Sequence, residues 1–572
     1  MQIIKSLIKL LVFVCPLNAV AQSTYLFQGS KDAHFIDRLE IKQQTNTDLN
    51  FSTLRPFNRK YIVQEATFLD SARMGYKDST GVDKYKEWTD LNLTAVDEFN
   101  LQSLLMNNSE WVTTPKESFM SNKPVLKTFY KTKANFFEIK NKDLFLAINP
   151  VLQIHQAIEP GYDEGVFLNS RGINVRGLIG KKVGFSSYIT ENQERGPRFF
   201  QEQVKTSRAV PGYGFYKSFK KTGVDYFDAR GYITFNAAKF IDFQLGFDKN
   251  FIGNGYRSLF LSDWGNSYLF AKINTKVWKF NYQNIFMELM PQFVKAGDTL
   301  LDRKYSAMHH LSINVTKWLN IGLFEGIMFG RKNRFDFQYL NPVIFYRHVE
   351  GSIGSPDNAV AGLDFKANVA HRLQFYGQFL LDEFILSAVK NTPTSWVNKF
   401  GIQVGGKYVD AFGVKNLDLQ GEVNRVRPFT YSHNDQISNY SHYNQPLAHP
   451  LGANFQEFIG IAHYQPAPKW TIDVRAIYFY KGLDSSGRNF GGNIFENYTS
   501  RSSDLGFKVG SGAKATCFNG TALVSYELKQ NLFFDASFQH RTYRIDNQPG
   551  QTNTSLVTAG IRLNMFKRVY DF

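Results

Sequence analysis

The sequence predicts an all-β chain, a transmembrane antiparallel barrel of about 18 strands with a small, mainly helical N-terminal plug. Three observations predict it: a secretory leader, a two-residue hydrophobic period that recurs from about residue 126 to the end, and loops of two very different lengths. The tail shows the period most plainly. Val557, Ala559, Ile561, Leu563 and Met565 alternate with Thr558, Gly560, Arg562 and Asn564. Successive side chains of a strand face opposite sides, so one face is apolar and the other polar. In an exported chain, that pattern puts lipid outside and water inside.

Residues 1–21 read as the leader. Lys5 and Lys9 supply positive charge, Leu10 to Val14 the apolar stretch, and Ala19-Val20-Ala21 the cleavage site before Gln22. Val14 lacks the small side chain expected before a lipidated cysteine, which argues against lipidation at Cys15. The mature chain keeps one cysteine, Cys517, so no intramolecular disulfide forms.

Aromatic residues make up 16% of the chain, with 53 Phe and 29 Tyr, at a mean hydropathy of −0.31. No apolar run after the leader approaches the roughly 18 residues of a membrane helix. Rings in interfacial girdles and apolar residues at alternate positions account for both facts. The formal net charge is +16. In the envelope this excess attracts acidic polysaccharide, lipopolysaccharide phosphate or small anions. Nucleic acid is not expected there.

Residues 22–125 form the expected periplasmic plug or cap. Asn58 caps a helix whose Ile62, Ala66 and Leu69 share a face, closed by Gly75. A second helix runs through Val96, Phe99, Leu101, Leu104 and Leu105 to Asn107-Asn108, and His34 to Ile41 reads as one short strand. Residues 126–572 are the barrel. Alternation is clear at Ile241–Phe247, Leu373–Leu381, Trp470–Tyr478 and Phe534–Phe538. Short connections fall at Gly180-Lys181, Lys239, Val277-Trp278, Trp318-Leu319, Ala370-His371, Ala411-Phe412, Pro468-Lys469 and Lys529-Gln530. Long ones fall near 195–224, 331–355, 430–452 and 484–512, placing these outside the cell. A raw count of nineteen strands conflicts with the even number bacterial barrels favour, and the segment 126–138 is the one to set aside.

The run Phe335 to Phe384, beginning FDFQYLNPVIFYRHVEG, resembles the Wzi-type capsule-assembly barrels of gliding bacteria. Phe35-Ile36-Asp37-Arg38-Leu39-Glu40-Ile41 with Leu54-Arg55-Pro56 resembles the RemB-like gliding-motility members of that group. Thr558 to Met565 resembles the last-strand signal read by the barrel insertase, although seven further residues follow, ending Tyr570-Asp571-Phe572. The resemblance implies a plugged, non-enzymatic, cofactor-free monomer in the outer membrane of a Gram-negative bacterium. It also implies a surface lectin that holds capsular polysaccharide, with outer-membrane lipid and lipopolysaccharide around it. No ligand residue transfers, because no site motif matches position by position.

Site candidates therefore come from charge and rings. Glu194 to Thr222 carries Arg195, Arg198, Lys205, Arg208, Lys217, Lys220 and Lys221 against Glu194 and Glu202, interleaved with Phe199, Phe200, Tyr213, Phe215, Tyr216 and Phe219. Cations pair with polymer carboxylates or phosphates, and ring faces accept the C–H faces of a sugar. A loop that spends its charge on acidic wall residues is the competing reading. Arg331, Lys332, Arg334, Arg347 and His348 form a second cluster, and Arg425 with Arg427 a third; either lines a vestibule with the first or is ordinary rim charge. His433, His442 and His449 match no metal spacing. His309-His310 and Asp382-Glu383 are strand neighbours that face opposite ways. No Gly-x-Ser-x-Gly or His-Glu-x-x-His occurs, so nothing local supports an enzyme. Gly253-Asn254-Gly255 reads as a turn. The competing functions are a channel for small anions, a hydrolase assembled from distant strands, and a scaffold in secretion or motility machinery.

Overall fold

The computed structural model describes residues 23–27, 29–73, 91, 93–112, 116–292, 300–331, 334–342, 345–354, 357–383, 386–546, 548 and 550–572. The leader, Gly75 and Lys332 lie outside the described residues. Eighteen antiparallel strands, from Leu144–Ile158 to Gln551–Leu563, close into a barrel. The last strand pairs with the first, Val557 opposite Ile158 and Leu563 opposite Leu152. A short strand, Phe137–Lys140, pairs with the lower part of the first strand, so the segment set aside above ends in a fragment of wall.

Alternation decides the two faces. In strand Ile241–Asp248, Leu245 and Phe247 are exposed on the outside while Asp242, Gln244 and Asp248 are buried inside. Val474 and Tyr478, Phe534 and Phe538, and Val557 and Ile561 likewise point out. Met565 does not continue this face. The last strand stops at Leu563, Asn564 adopts a positive φ of 50°, and Met565 turns inward onto Val151 and Tyr188.

Three helices fill the lumen at the short-turn end. They are α1 (Lys31–Gln43), α2 (Arg59–Arg73) and α3 (Ala95–Asn107). Lys60 N–H donates to Asn58 Oδ1 at the start of α2, and Thr94 with Asp97 makes a reciprocal cap on α3. Phe35, Ile36 and Leu39 of α1 pack with Ile62, Val63, Ala66, Leu69, Leu101, Leu104 and Leu105. Each fully buried apolar side chain contributes about 1.5–3 kcal/mol. The helix α1 corrects the strand expected at His34 to Ile41. Phe35, Ile36 and Leu39 share a face at helical spacing, and Arg38 and Lys42, one turn apart, share another.

That second face binds the plug to the barrel. The Arg38 guanidinium donates to Asp97 at 2.6 Å, to Asp410 at 2.6 Å and to Asp418 at 2.5 Å. Lys366 reaches Glu40 at 2.7 Å, and Lys407 reaches Asp37 at 2.8 Å. Burial raises the Asp37 carboxyl, but the Arg55 guanidinium and Lys407 ammonium outweigh it and hold Asp37 well below the usual carboxylate range.

Candidate functional site

The outer half of the lumen is closed by loops that fold inward. Leu259, Phe260 and Leu261 are fully buried, and Phe260 stacks on Phe324 of the wall with centroids 4.5 Å apart. Tyr431 and Tyr440 donate their hydroxyls to the carbonyls of Leu259 and Phe260, each at 2.7 Å. Gly253-Asn254-Gly255 turns this loop against the wall. A Cβ on Gly255 would sit 2.3 Å from Glu422 Oε2, and that carboxylate accepts the N–H of Tyr256 at 2.7 Å and of Arg257 at 3.1 Å.

The basic aromatic loop roofs the barrel beside it. Its helix α4 (Arg198–Ser207) follows the strand Val183–Arg195, and its second half is a hairpin in which Lys217 pairs with Asp225. Phe199, Phe200 and Tyr213 point inward and are buried, with Phe200 and Tyr213 in a cluster with Val204, Val210, Val224 and Tyr226. No sugar face reaches these three rings. Tyr216 is half-buried and Phe215 exposed.

The loop's cations divide into two groups. Arg195 stands 3.4 Å from Glu164, and Arg198 donates to Glu159 at 2.7 Å, so both bind the neighbouring loop. Lys205, Arg208, Lys217, Lys220 and Lys221 are exposed on the outer surface. The competing reading therefore describes the first pair, and a basic rim describes Lys205, Lys217, Lys220 and Lys221.

The other two clusters do not join this rim. Arg331 holds Asp357 with two bonds, at 2.7 and 2.5 Å, as an internal strut. Arg334 and Arg347 are exposed on a loop that lies against the outside wall (below). Arg425 is exposed on the outward face of its strand, beside Val423, whereas Asn424 and Val426 point in. Arg427 donates to the carbonyls of Asn398 at 2.7 Å, Ser395 at 3.2 Å and Phe507 at 3.3 Å, holding loops together. A single vestibule lined by all three clusters is not what the fold builds.

Residues 566–572, the seven that follow the expected last-strand signal, run back up the lumen. Arg568 donates to Glu194 at 3.1 Å and to the Pro211 carbonyl at 3.0 Å, and lies over the rings of Phe200 and Tyr213. The Tyr570 hydroxyl donates to Glu194 at 2.6 Å. Asp571 meets Arg257 at 3.2 Å and the Tyr256 hydroxyl, and Phe572 packs on Trp264 and Phe199. Between plug, tail and wall remains a cavity of about 470 Å³ whose lining includes Lys31, His155, Arg475, Asp535 and Lys567.

His310 faces the lumen and meets Asp364 at 2.7 Å, while His309 faces outward and meets the Tyr282 hydroxyl at 2.6 Å, as strand neighbours must. His442 bonds Met290 and Ser267, and His449 bonds Glu457, so the loop histidines serve separate contacts. Among the described residues no cluster of three or more His, Cys, Asp or Glu has metal-binding geometry.

No protein-family profile and no curated protein matches the sequence. Solved structures do match. Wzi, an Escherichia coli outer-membrane protein involved in group 1 capsule assembly and described as a carbohydrate-binding β-barrel, aligns over 95% of this chain and 100% of its own. The identity is 12% and the TM-score 0.55. OprD of Pseudomonas aeruginosa aligns over 73% of this chain and 95% of its own at 11% identity, with a TM-score of 0.41, below the level at which a shared fold follows. The chain is an eighteen-stranded outer-membrane barrel with the fold of Wzi.

Proposed function

We propose that this barrel binds an anionic surface polysaccharide, without catalysis, at the rim formed by α4 and the hairpin that follows it. One observation carries the reading. Four lysines, Lys205, Lys217, Lys220 and Lys221, are exposed on a roof whose inward rings anchor it to the lumen. Such groups attract polymer carboxylates or phosphates at long range and pair with them at contact. Phe215 and Tyr216 add ring surface beside Lys217. The fold shared with a carbohydrate-binding barrel supports the same reading. A part in gliding rests on the likeness of the short stretches 35–41 and 54–56 alone.

The test replaces Lys205, Lys217, Lys220 and Lys221 by Gln together. Cells carrying this variant should retain markedly less of their acidic surface polymer, and the loss on raising salt should shrink. Full retention by a correctly inserted variant would sink the proposal.

The cavity favours one second reading, a passage for small anions, because its lining holds more cations than acids. Planar-bilayer conductance of the full chain against a variant lacking residues 23–112 separates the two. Low conductance that rises only without the plug fits a binding barrel.

A further inference from the structure

The loop between strands Leu319–Phe329 and Asn358–Val369 does not fold inward like its neighbours. It lies on the outer wall. Outward positions of the strands beneath it, Tyr305, Ala307, Ile327 and Phe329, are buried by Tyr339 and Tyr346 of the loop, with Phe335 packed against the cluster. The loop also carries a helix, α5 (Tyr346–Ile353).

What it covers is polar. Glu325 points away from the lumen in mid-strand, yet is only 8% exposed, because it accepts the N–H of Phe345 at 2.5 Å and of Arg347 at 3.2 Å as α5 begins. His309 and Asn284 face the same way and are buried at 0% and 2%. The Tyr282 hydroxyl, also outward, donates to the Pro342 carbonyl at 2.6 Å. Uncovered, this notch would set an unpartnered carboxylate, and an imidazole bonded only to Tyr282, against acyl chains. The loop bonds Glu325 and the Tyr282 hydroxyl, covers His309 and Asn284, and then supplies the surface that the wall cannot.

That surface is amphipathic. Phe337 is 76% exposed and Phe345 73%, continuing the outward belt of Leu323 and Leu363 on the strands below. Arg347, 79% exposed although paired with Glu350 at 2.7 Å, stands beside them with Arg334 and His348. Apolar rings next to exposed cations suit the boundary between acyl chains and anionic headgroups. We infer that this loop is a lipid-seated flap. Phe337 and Phe345 enter the outer leaflet, and Arg334, Arg347 and His348 hold the phosphate of a lipid headgroup. The inference rests on the outer-membrane placement and is independent of the polysaccharide reading.

Two measurements test it on the full mature chain. Spin labels on F337C and F345C, in vesicles of phosphatidylcholine with phosphatidylglycerol, should be relaxed by oxygen and shielded from a water-soluble nickel chelate. A label on K205C at the roof should behave oppositely. Separately, native mass spectrometry should detect bound bis-phosphorylated lipid A or phosphatidylglycerol. A variant with R334Q, R347Q and H348Q that keeps its heat-modifiable gel shift should bind these about tenfold more weakly, with dephosphorylated lipid A unaffected. Preference for lipid A over phosphatidylglycerol assigns the phosphate to a glycolipid; equal binding assigns it to any acidic lipid. Labels at 337 and 345 as water-accessible as the one at 205 would overturn the seating. Unchanged binding by the triple variant would overturn the headgroup contact.

Discussion

Arg568 and Glu194 lie 374 residues apart in sequence and meet at 3.1 Å, joining the returning tail to the roof of the barrel. Both are almost completely buried, and Glu194 also accepts the hydroxyls of Tyr226 and Tyr570, each at 2.6 Å. The carboxylate is a junction for three segments that have no sequence proximity.

Breaking that junction leaves an uncompensated buried charge. R568M should lower unfolding stability by on the order of 3 kcal/mol, read from a denaturant titration of the detergent-solubilised protein. The doubly neutral R568M with E194Q should recover part of the loss, since no lone charge then remains. An unchanged midpoint for R568M would show that the junction is not closed in solution.

Phe200 is 1% exposed under the roof and meets Tyr570 edge-on at 5.6 Å. F200A should cost about 3–5 kcal/mol and expose α4 to protease, while a surface change such as K205A should do neither. Cleavage at α4 in both variants alike would contradict the packing described.

The turn at Gly255 tests the inward loop. A methyl there meets Glu422 Oε2 at 2.3 Å and Gln403 Oε1 at 3.0 Å, so G255A should destabilise by about 1–3 kcal/mol through displacement of buried groups. Thermal unfolding in detergent measures it.

Acid should loosen the plug. Burial raises the carboxyls of Asp37 and Asp410, but Arg55 and Lys407 beside the first, and Arg38 and Lys42 beside the second, hold both below their ordinary value. A depressed folded value means stabilisation that is complete above the unfolded pKa of about 4 and lost as pH falls through the folded values. Pepsin cleavage of α1 should therefore be absent at about pH 5 and grow steadily below pH 4. Cleavage that is as fast at pH 5 as at pH 2 would contradict this.

The barrel was legible because one rule, alternation, repeats in every strand, and loop asymmetry then orients it. Helices α2 and α3 were legible from Asn58 and from the spacing of Leu101, Leu104 and Leu105. Helix α1 was not, because a short segment with mixed spacing fits both periods and its partners, Asp410 and Asp418, lie more than 370 residues away. The seven cations of the roof loop look alike in sequence, and the acids of an adjacent loop, Glu159 and Glu164, separate Arg198 and Arg195 from the exposed lysines. Arg425 and Arg427 differ for a simpler reason: the strand ends at Val426, so parity sends the first outward and no longer governs the second.

The seam between the first and last strands consists of seven facing positions, Ile158 with Val557 through Leu152 with Leu563, whereas the first and second strands share pairs from Leu144 to Ala157. Helices about 10 Å across flank that seam on one side and the returning tail on the other. Both ends of the polypeptide thus lie inside the ring that they close, and the eighteen strands of the wall are joined there by one of their two shortest zippers.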